Sequence, residues 1–221
     1  MAAQIETATG LILRTWPLTE TSLIIHWITR DLGRLATVAK GARRPKSPFR
    51  GKLDLFYLAE LSFSRSRRSD LHNLREARLL ETHSALRQEL GYLEQASYCS
   101  ALIEQATEAE TPLPGIFKLM RELLDFLPNR PPEPMTVFAF ELKFLADLGL
   151  QPDLEKCHLN PGTKQILRAL AEDEWSALAR QMMNQEQMNE VRMFLNGFLI
   201  FHLGKVPRGR NAALDCADSR T

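Results

Sequence analysis

Seven cations stand between Leu32 and Leu53 with no acidic residue among them: Arg34, Lys40, Arg43, Arg44, Lys46, Arg50 and Lys52. The centre of the run, Lys40-Gly-Ala-Arg-Arg-Pro-Lys-Ser-Pro-Phe-Arg-Gly-Lys52, carries two glycines and two prolines, residues that interrupt regular structure. It reads as a loop that crowds positive charge without neutralising it. The self-repulsion of such a loop is relieved by a phosphate backbone. A second basic group, Arg65, Arg67 and Arg68, falls in a later hairpin turn, and the two turns are expected to converge on one groove. Ser47 and the glycine N–H groups could add phosphate contacts that do not read sequence. Phe49 is the exposed stacking candidate, whereas most of Trp16, Trp27, Phe56 and Tyr57 read as core. The plainer readings are a solvated surface loop or a nuclear-localisation tag, and the flanking strands argue against the tag.

Catalytic chemistry finds no comparable constellation. A phosphate-binding P-loop fails because Leu53 follows Gly51-Lys52 and Lys46, not glycine, stands five residues before Gly51. The histidines at 26, 72, 83, 158 and 202 are isolated, and His26 and His202 read as structural. Cys157-His158 offers two zinc ligands, with only the distant Cys99, His202 and Cys216 to complete a tetrahedron. Glu104, Glu108 and Glu110 read as a solvated helix face. The expectation is therefore a protein that is not an enzyme and uses no metal or cofactor.

Binding loops need strands to hold them, and the first eighty residues read as five short ones. They are Gly10–Trp16, Ser22–Thr29, Arg34–Ala39, Leu53–Phe63 and Leu71–Leu79, each rich in β-branched or aromatic residues or alternating in polarity. Arg75-Glu-Ala-Arg78 in the last could equally be helical. Five strands of this length suit an OB-fold barrel, which often carries nucleic acid. From Thr82 the period becomes helical, with stretches through Ile103 and at 116–127, 137–148, 163–183 and 186–203. Prolines at 112 and 114, and again at 128, 131, 132 and 134, separate the first of these. The tail from Lys205 to Arg210, and Ala217–Thr221, is expected to be poorly ordered. The fold expected is α+β: a five-stranded OB-fold barrel over 1–80, then an all-helical domain over 81–221.

Charge follows the same division. The first 80 residues hold 14 Lys and Arg against 7 Asp and Glu, and the remainder holds 14 against 20. A net charge of +1 thus conceals a polyanion-binding portion joined to a partner-binding or structural one. Three scattered cysteines, a start unlike a signal peptide and no membrane-length apolar run make a reducing cytoplasm the simplest setting.

Several motifs together resemble one known family. Glu20/Thr21/Ser22, Gly33-Arg34, Val38-Ala-Lys-Gly-Ala-Arg-Arg44 and Gly51/Leu53/Phe56 are similar to the N-terminal pattern of the bacterial RecO proteins. Leu74-Arg-Glu-Ala77, Phe140-Glu-Leu142 and Leu148-Gly-Leu-Gln-Pro-Asp153 extend the likeness over most of the chain. The resemblance implies an N-terminal OB-fold followed by a helical domain, and binding of single- and double-stranded DNA. It implies annealing of complementary strands, and work with RecR to load RecA on DNA covered by single-stranded-DNA-binding protein (SSB). The SSB contact runs through that protein's acidic, apolar-ended C-terminal tail, and the setting is the bacterial cytoplasm at the nucleoid. Many family members place a four-cysteine zinc module after the turn matching Pro152-Asp153. Here only Cys157 remains, so the module near 157–162 reads as lost. An alternative to DNA binding is a protein–protein adaptor whose basic loop takes an acidic peptide.

Overall fold

The computed structural model describes residues 4–216, apart from the side chains at 179 and 180. Five strands close into a barrel: β1 (Ile5–Pro17), β2 (Leu23–Thr29), β3 (Gly33–Ala39), β4 (Leu58–Ser64) and β5 (Leu71–Glu81). Their order around the barrel is β1-β2-β3-β5-β4. All neighbours are antiparallel except β3 and β5, which run parallel over Ala36–Val38 and Leu71–Asn73. The chain is thus a five-stranded OB-type barrel followed by helices. Closure removes the exposed edges that an open five-stranded sheet would leave.

One long strand makes the closure. The first half of β1 pairs with β4 and the second with β2, and Gly10 pairs on both sides, with Ala59 and Thr29. A side chain there has no room: a Cβ at Gly10 would come within 3.1 Å of Leu61 and Thr29 and 3.2 Å of Trp27. Glycine at this crossing lets the two sheet halves approach. Beyond it, Leu13 forms a bulge between the pairs Ile12–Trp27 and Arg14–His26. The core inside contains Ile12, Ile25, Trp27, Leu35, Phe49, Leu61, Phe63 and Leu74. The one polar edge of buried Trp27 is satisfied, its indole N–H donating to Thr37 Oγ1 at 2.9 Å.

The expected Leu53–Phe63 strand starts later. Residues 53–57 lie outside any strand, with a turn at 55–56, and Phe56 has φ +64°, which no strand tolerates. Its backbone is pinned by Phe56 N–H to Ile12 O at 2.9 Å and Ile12 N–H to Tyr57 O at 3.0 Å. Arg75–Arg78 is strand, because Leu74 and Ala77 face the barrel core.

The helices are α1 (Leu90–Ala106), α2 (Pro114–Phe126), α3 (Pro134–Asp147), α4 (Pro161–Glu172), α5 (Gln185–Leu203) and α6 (Arg210–Asp215). Two compact units result: the residues up to Ser84 with Thr107–Arg121, and Ala85–Ala106 with the residues from Glu122 onward. In the second unit α3 is buried on nearly all sides, as expected for a helix that is apolar all round. It ends where Gly149 adopts φ +71°, with the Leu150 N–H reaching back to Leu145 O. The single helix expected over 163–183 stops at Glu172, and a short 3-10 turn follows at Trp175–Arg180. Asn184 and Gln187 cap each other's backbone to start α5.

Lys205–Arg210 does not behave as a loose tail. Arg210 opens α6 and is buried, its Nε and Nη2 donating to Glu141 Oε1 and Oε2 of α3 at 2.7 and 2.8 Å. The paired acid lies 69 residues away, beyond any local reading of a basic, glycine-containing segment. The expectation for Ala217–Thr221 concerns residues outside those described. No helix among the described residues is long and apolar enough to cross a membrane.

Candidate nucleic-acid interface

The basic run forms the β3–β4 connection, a chain of tight turns rather than a mobile arc. The N–H groups of Ala42, Arg44, Ser47, Arg50 and Lys52 each bond the carbonyl three residues earlier. Gly41 and Gly51 supply the positive φ values of +70° and +72° that such a succession needs. Phe49 anchors it. The residue is 6% exposed and packs into the barrel core, so it is not the exposed stacking residue that its loop position suggests. The barrel has a side chain to gain from the loop, and burying a phenyl ring outweighs leaving it in water.

With Phe49 driven inward, the charged side chains face out. Lys40, Arg43, Arg44, Lys46 and Arg50 are exposed and Lys52 is half-buried. Among the described residues none of these six has a carboxylate within ion-pair distance. Their contacts are to neutral carbonyls: Arg43 Nη1 donates to Thr19 O at 3.3 Å and Arg50 Nη1 to Pro45 O at 3.4 Å. The Arg43 N–H also donates to Thr21 O at 3.0 Å, tying the loop to the β1–β2 turn. The positive charge is therefore held in place and left uncompensated.

Arg34 and Arg65 are occupied elsewhere. Arg34 donates through Nε to Thr107 Oγ1 at 2.8 Å and through Nη2 to Thr107 O at 2.6 Å. Its carbonyl accepts from the Glu110 N–H at 2.8 Å. Gly33 beside it has φ +69°, and a Cβ there would lie 1.9 Å from Thr111 O. Residues 107–111 thus lie as a strap across the start of β3.

Arg65 pairs with Glu6 at 2.7 Å and with Glu110, and the hydrogen bond it donates to Glu6 leads the effects that raise its pKa. Glu110 is not part of a solvated helix face. It sits at φ +57° between Arg65 and His72. Burial pushes its carboxyl up, but the hydrogen bonds from His72 and Arg65 outweigh it and hold the pKa below the ordinary value. His72 Nδ1 accepts from the Ser66 N–H at 3.3 Å, so Nε2 carries the proton donated to Glu110 at 2.8 Å. Arg67 and Arg68 remain exposed at the turn tip.

The two basic turns do not converge. β5 enters beside the start of β3, Leu71 pairing with Ala36, which places the Arg65–Asp70 turn at the Gly33 end of the barrel. The Lys40–Lys52 loop leaves from the other end, where Ala39 pairs with Leu23. The parallel β3–β5 pairing decides this, and nothing in the strand patterns reveals it. The residues that strap β3 and neutralise Arg65, Thr107 and Glu110, also escape sequence reading because both lie in another part of the chain.

The three thiols show no shared site. Cys99 and Cys216 are buried, and burial pushes both thiols up, that of Cys216 to about 11. Cys157 donates to Asp153 O at 3.2 Å.

The chain is a closed OB-type barrel with an uncompensated cationic loop, continued by helices, and barrels of this class often carry nucleic acid. Family comparison narrows this. The pattern described as Recombination protein O N terminal matches residues 1–83, and that described as Recombination protein O C terminal matches residues 87–160. The chain belongs to the RecO family. A DNA repair protein RecO of Exiguobacterium sibiricum is 32% identical over 153 residues, 69% of this chain and 61% of that protein. One from Anaeromyxobacter sp. (strain K) is 32% identical over 149 residues, covering 67% and 59%. One from Rhodopirellula baltica is 29% identical over 148 residues, covering 67% and 55%. The chain therefore aligns with about three fifths of these relatives' length.

Proposed function

We propose that this protein is a non-catalytic DNA-binding mediator of recombinational repair. It anneals complementary strands and, with RecR, helps load RecA on single-stranded DNA coated by SSB, whose C-terminal tail it binds through the helical part. The observation that carries the reading is the set of six outward cations on a turn-built loop with no carboxylate to neutralise them. Two polyanions repel each other, and a fixed cationic ridge screens that repulsion while leaving base edges unread. Pairing then needs proximity and charge but no proton transfer. Family membership and the name DNA repair protein RecO carried by the relatives support the repair setting. Single- and double-stranded DNA are both ligands of such a ridge, because every contact is to phosphate. Arg67 and Arg68 provide a second, weaker phosphate contact at the far end of the barrel, while Arg34 and Arg65 position the strap.

The test is the triple variant Arg43→Ala, Arg44→Ala, Lys46→Ala. Each phosphate contact on a single strand contributes about 0.7 to the slope of log K against log salt, so losing three flattens it by about 2. Annealing of complementary oligonucleotides, with and without SSB, should slow in parallel. A variant with the wild-type slope would refute the phosphate reading. An adaptor for acidic peptides would retain little DNA at near-physiological salt in a gel shift.

A further inference from the structure

The outer face of the barrel next to the basic loop carries an aromatic cluster that phosphate binding does not use. The Leu13 bulge shifts the register of β1, so Arg14 pairs with His26 and Trp16 with Ile24. Ile25 and Trp27 point into the core, and their neighbours Ile24 and His26 therefore point out, taking Arg14 and Trp16 with them. Residue Trp16 is 37% exposed, while Trp27 is fully buried and Trp175 nearly so. Arg14 Cζ lies 5.0 Å from the centre of the Trp16 ring. The His26 ring meets it edge-on, 4.9 Å between centroids at 78°. Leu18 in the adjoining turn is also exposed, at 45%.

A tryptophan held at the surface by a guanidinium and an imidazole is an oriented ring, since both neighbours fix the ring plane. It also lies at the right end of the barrel. Trp16 leads into the β1–β2 turn, and Arg43 reaches that same turn through Thr19 O and Thr21 O. The strand carrying the ring and the uncompensated cations thus meet at one rim. Aromatic rings beside a cationic track are how single-stranded nucleic acid is held without reading its sequence.

We propose that Trp16, supported by Arg14 and His26, is a stacking platform for an unpaired nucleobase of a strand whose phosphates lie on the Lys40–Lys52 loop. The site takes single-stranded nucleic acid of any sequence. A duplex reaches only the phosphate contacts, because its bases are stacked on one another. The inference rests on the phosphate reading of the loop and adds the reason for preferring an unpaired strand.

Tryptophan fluorescence of the full chain tests it. Oligothymidylate quenches the emission, whereas an abasic oligonucleotide of equal length and charge, or a blunt duplex, quenches little. Trp16→Phe removes that DNA-dependent quench. Trp16→Ala weakens oligothymidylate binding roughly 5- to 160-fold while barely changing abasic binding, and Trp16→Tyr keeps most of the affinity. A Trp16→Ala protein that binds oligothymidylate as tightly as wild type overturns the platform. So does a wild-type protein that does not distinguish thymidylate from abasic DNA. If either occurs while the Arg43/Arg44/Lys46 variant still flattens the salt slope, the platform alone fails. If the slope is also unchanged, the phosphate reading fails with it.

Discussion

Replacing Arg210 with alanine removes the cation that faces the most deeply buried acid in the helical unit. Glu141 is fully buried and the Arg210 side chain is 5% exposed. Their two parallel hydrogen bonds, at 2.7 and 2.8 Å, are joined by Tyr98 Oη donating to the same Glu141 Oε1 at 2.5 Å. Without the guanidinium, a carboxylate in the core retains one neutral donor. Removing one partner of such a pair costs about 3–5 kcal/mol, most of it the cost of the stranded charge. With unfolding entropy near 2.1 cal/mol/K per residue over roughly 120 residues, 4 kcal/mol lowers the melting temperature by about 16 °C. Lost packing of the Arg210 stem near Phe138 adds to this. Calorimetry of the full chain, with Trp175 emission reporting the helical unit, measures the shift. Glu141→Gln in the Arg210→Ala background removes the stranded charge and should recover much of the loss. A single variant melting within about 2 °C of wild type would refute the reasoning. So would a double variant no more stable than the single.

Three further expectations follow from the same geometry. Phe49→Ala empties a core position of the barrel and should cost about 3–5 kcal/mol in a urea melt, while Arg43→Ala in the same loop costs almost nothing. Arg65→Ala should leave the salt slope of DNA binding unchanged, because Arg65 is already neutralised by Glu6 and Glu110, whereas each loop cation removed flattens it by about 0.7. Glu110 has a lowered pKa in the folded chain, so its stabilising contribution is present above the ordinary carboxylate value and is lost as pH falls through the lower folded one. Hydrogen exchange of the Glu110 N–H, which bonds Arg34 O, should therefore report loosening of the 107–111 strap at pH values below about 4.3 and not between 6 and 8.

Much of the architecture was written in local pattern. Alternation and β-branching marked five strands, the change to a 3.6-residue period marked the helices, and proline and glycine marked their ends. The cationic loop was equally plain, since a run of like charge needs no partner to be recognised. The motifs Val38–Arg44 and Gly51/Leu53/Phe56 carry the family likeness in the sequence itself. These features depend on residues close together in the chain, and short-range sterics and hydrophobicity are sufficient to fix them.

What the tertiary structure alone decided was which of those residues are free to act. Phe49 and Trp16 are both aromatic residues among polar neighbours, yet the barrel interior draws in the first and a one-residue bulge turns out the second. Arg34 and Arg65 have the same chemistry as Arg43 and Arg44, but the strap bearing Thr107 and Glu110 binds the first two. Arg210 looked like a tail residue until Glu141, on a distant helix, gave it a buried partner. For the three arginines the deciding contact lies between residues 45 to 73 positions apart, and for Trp16 it lies in a strand register that a single inserted residue shifts. Composition identifies the cations, and closure of the barrel selects the ones left uncompensated.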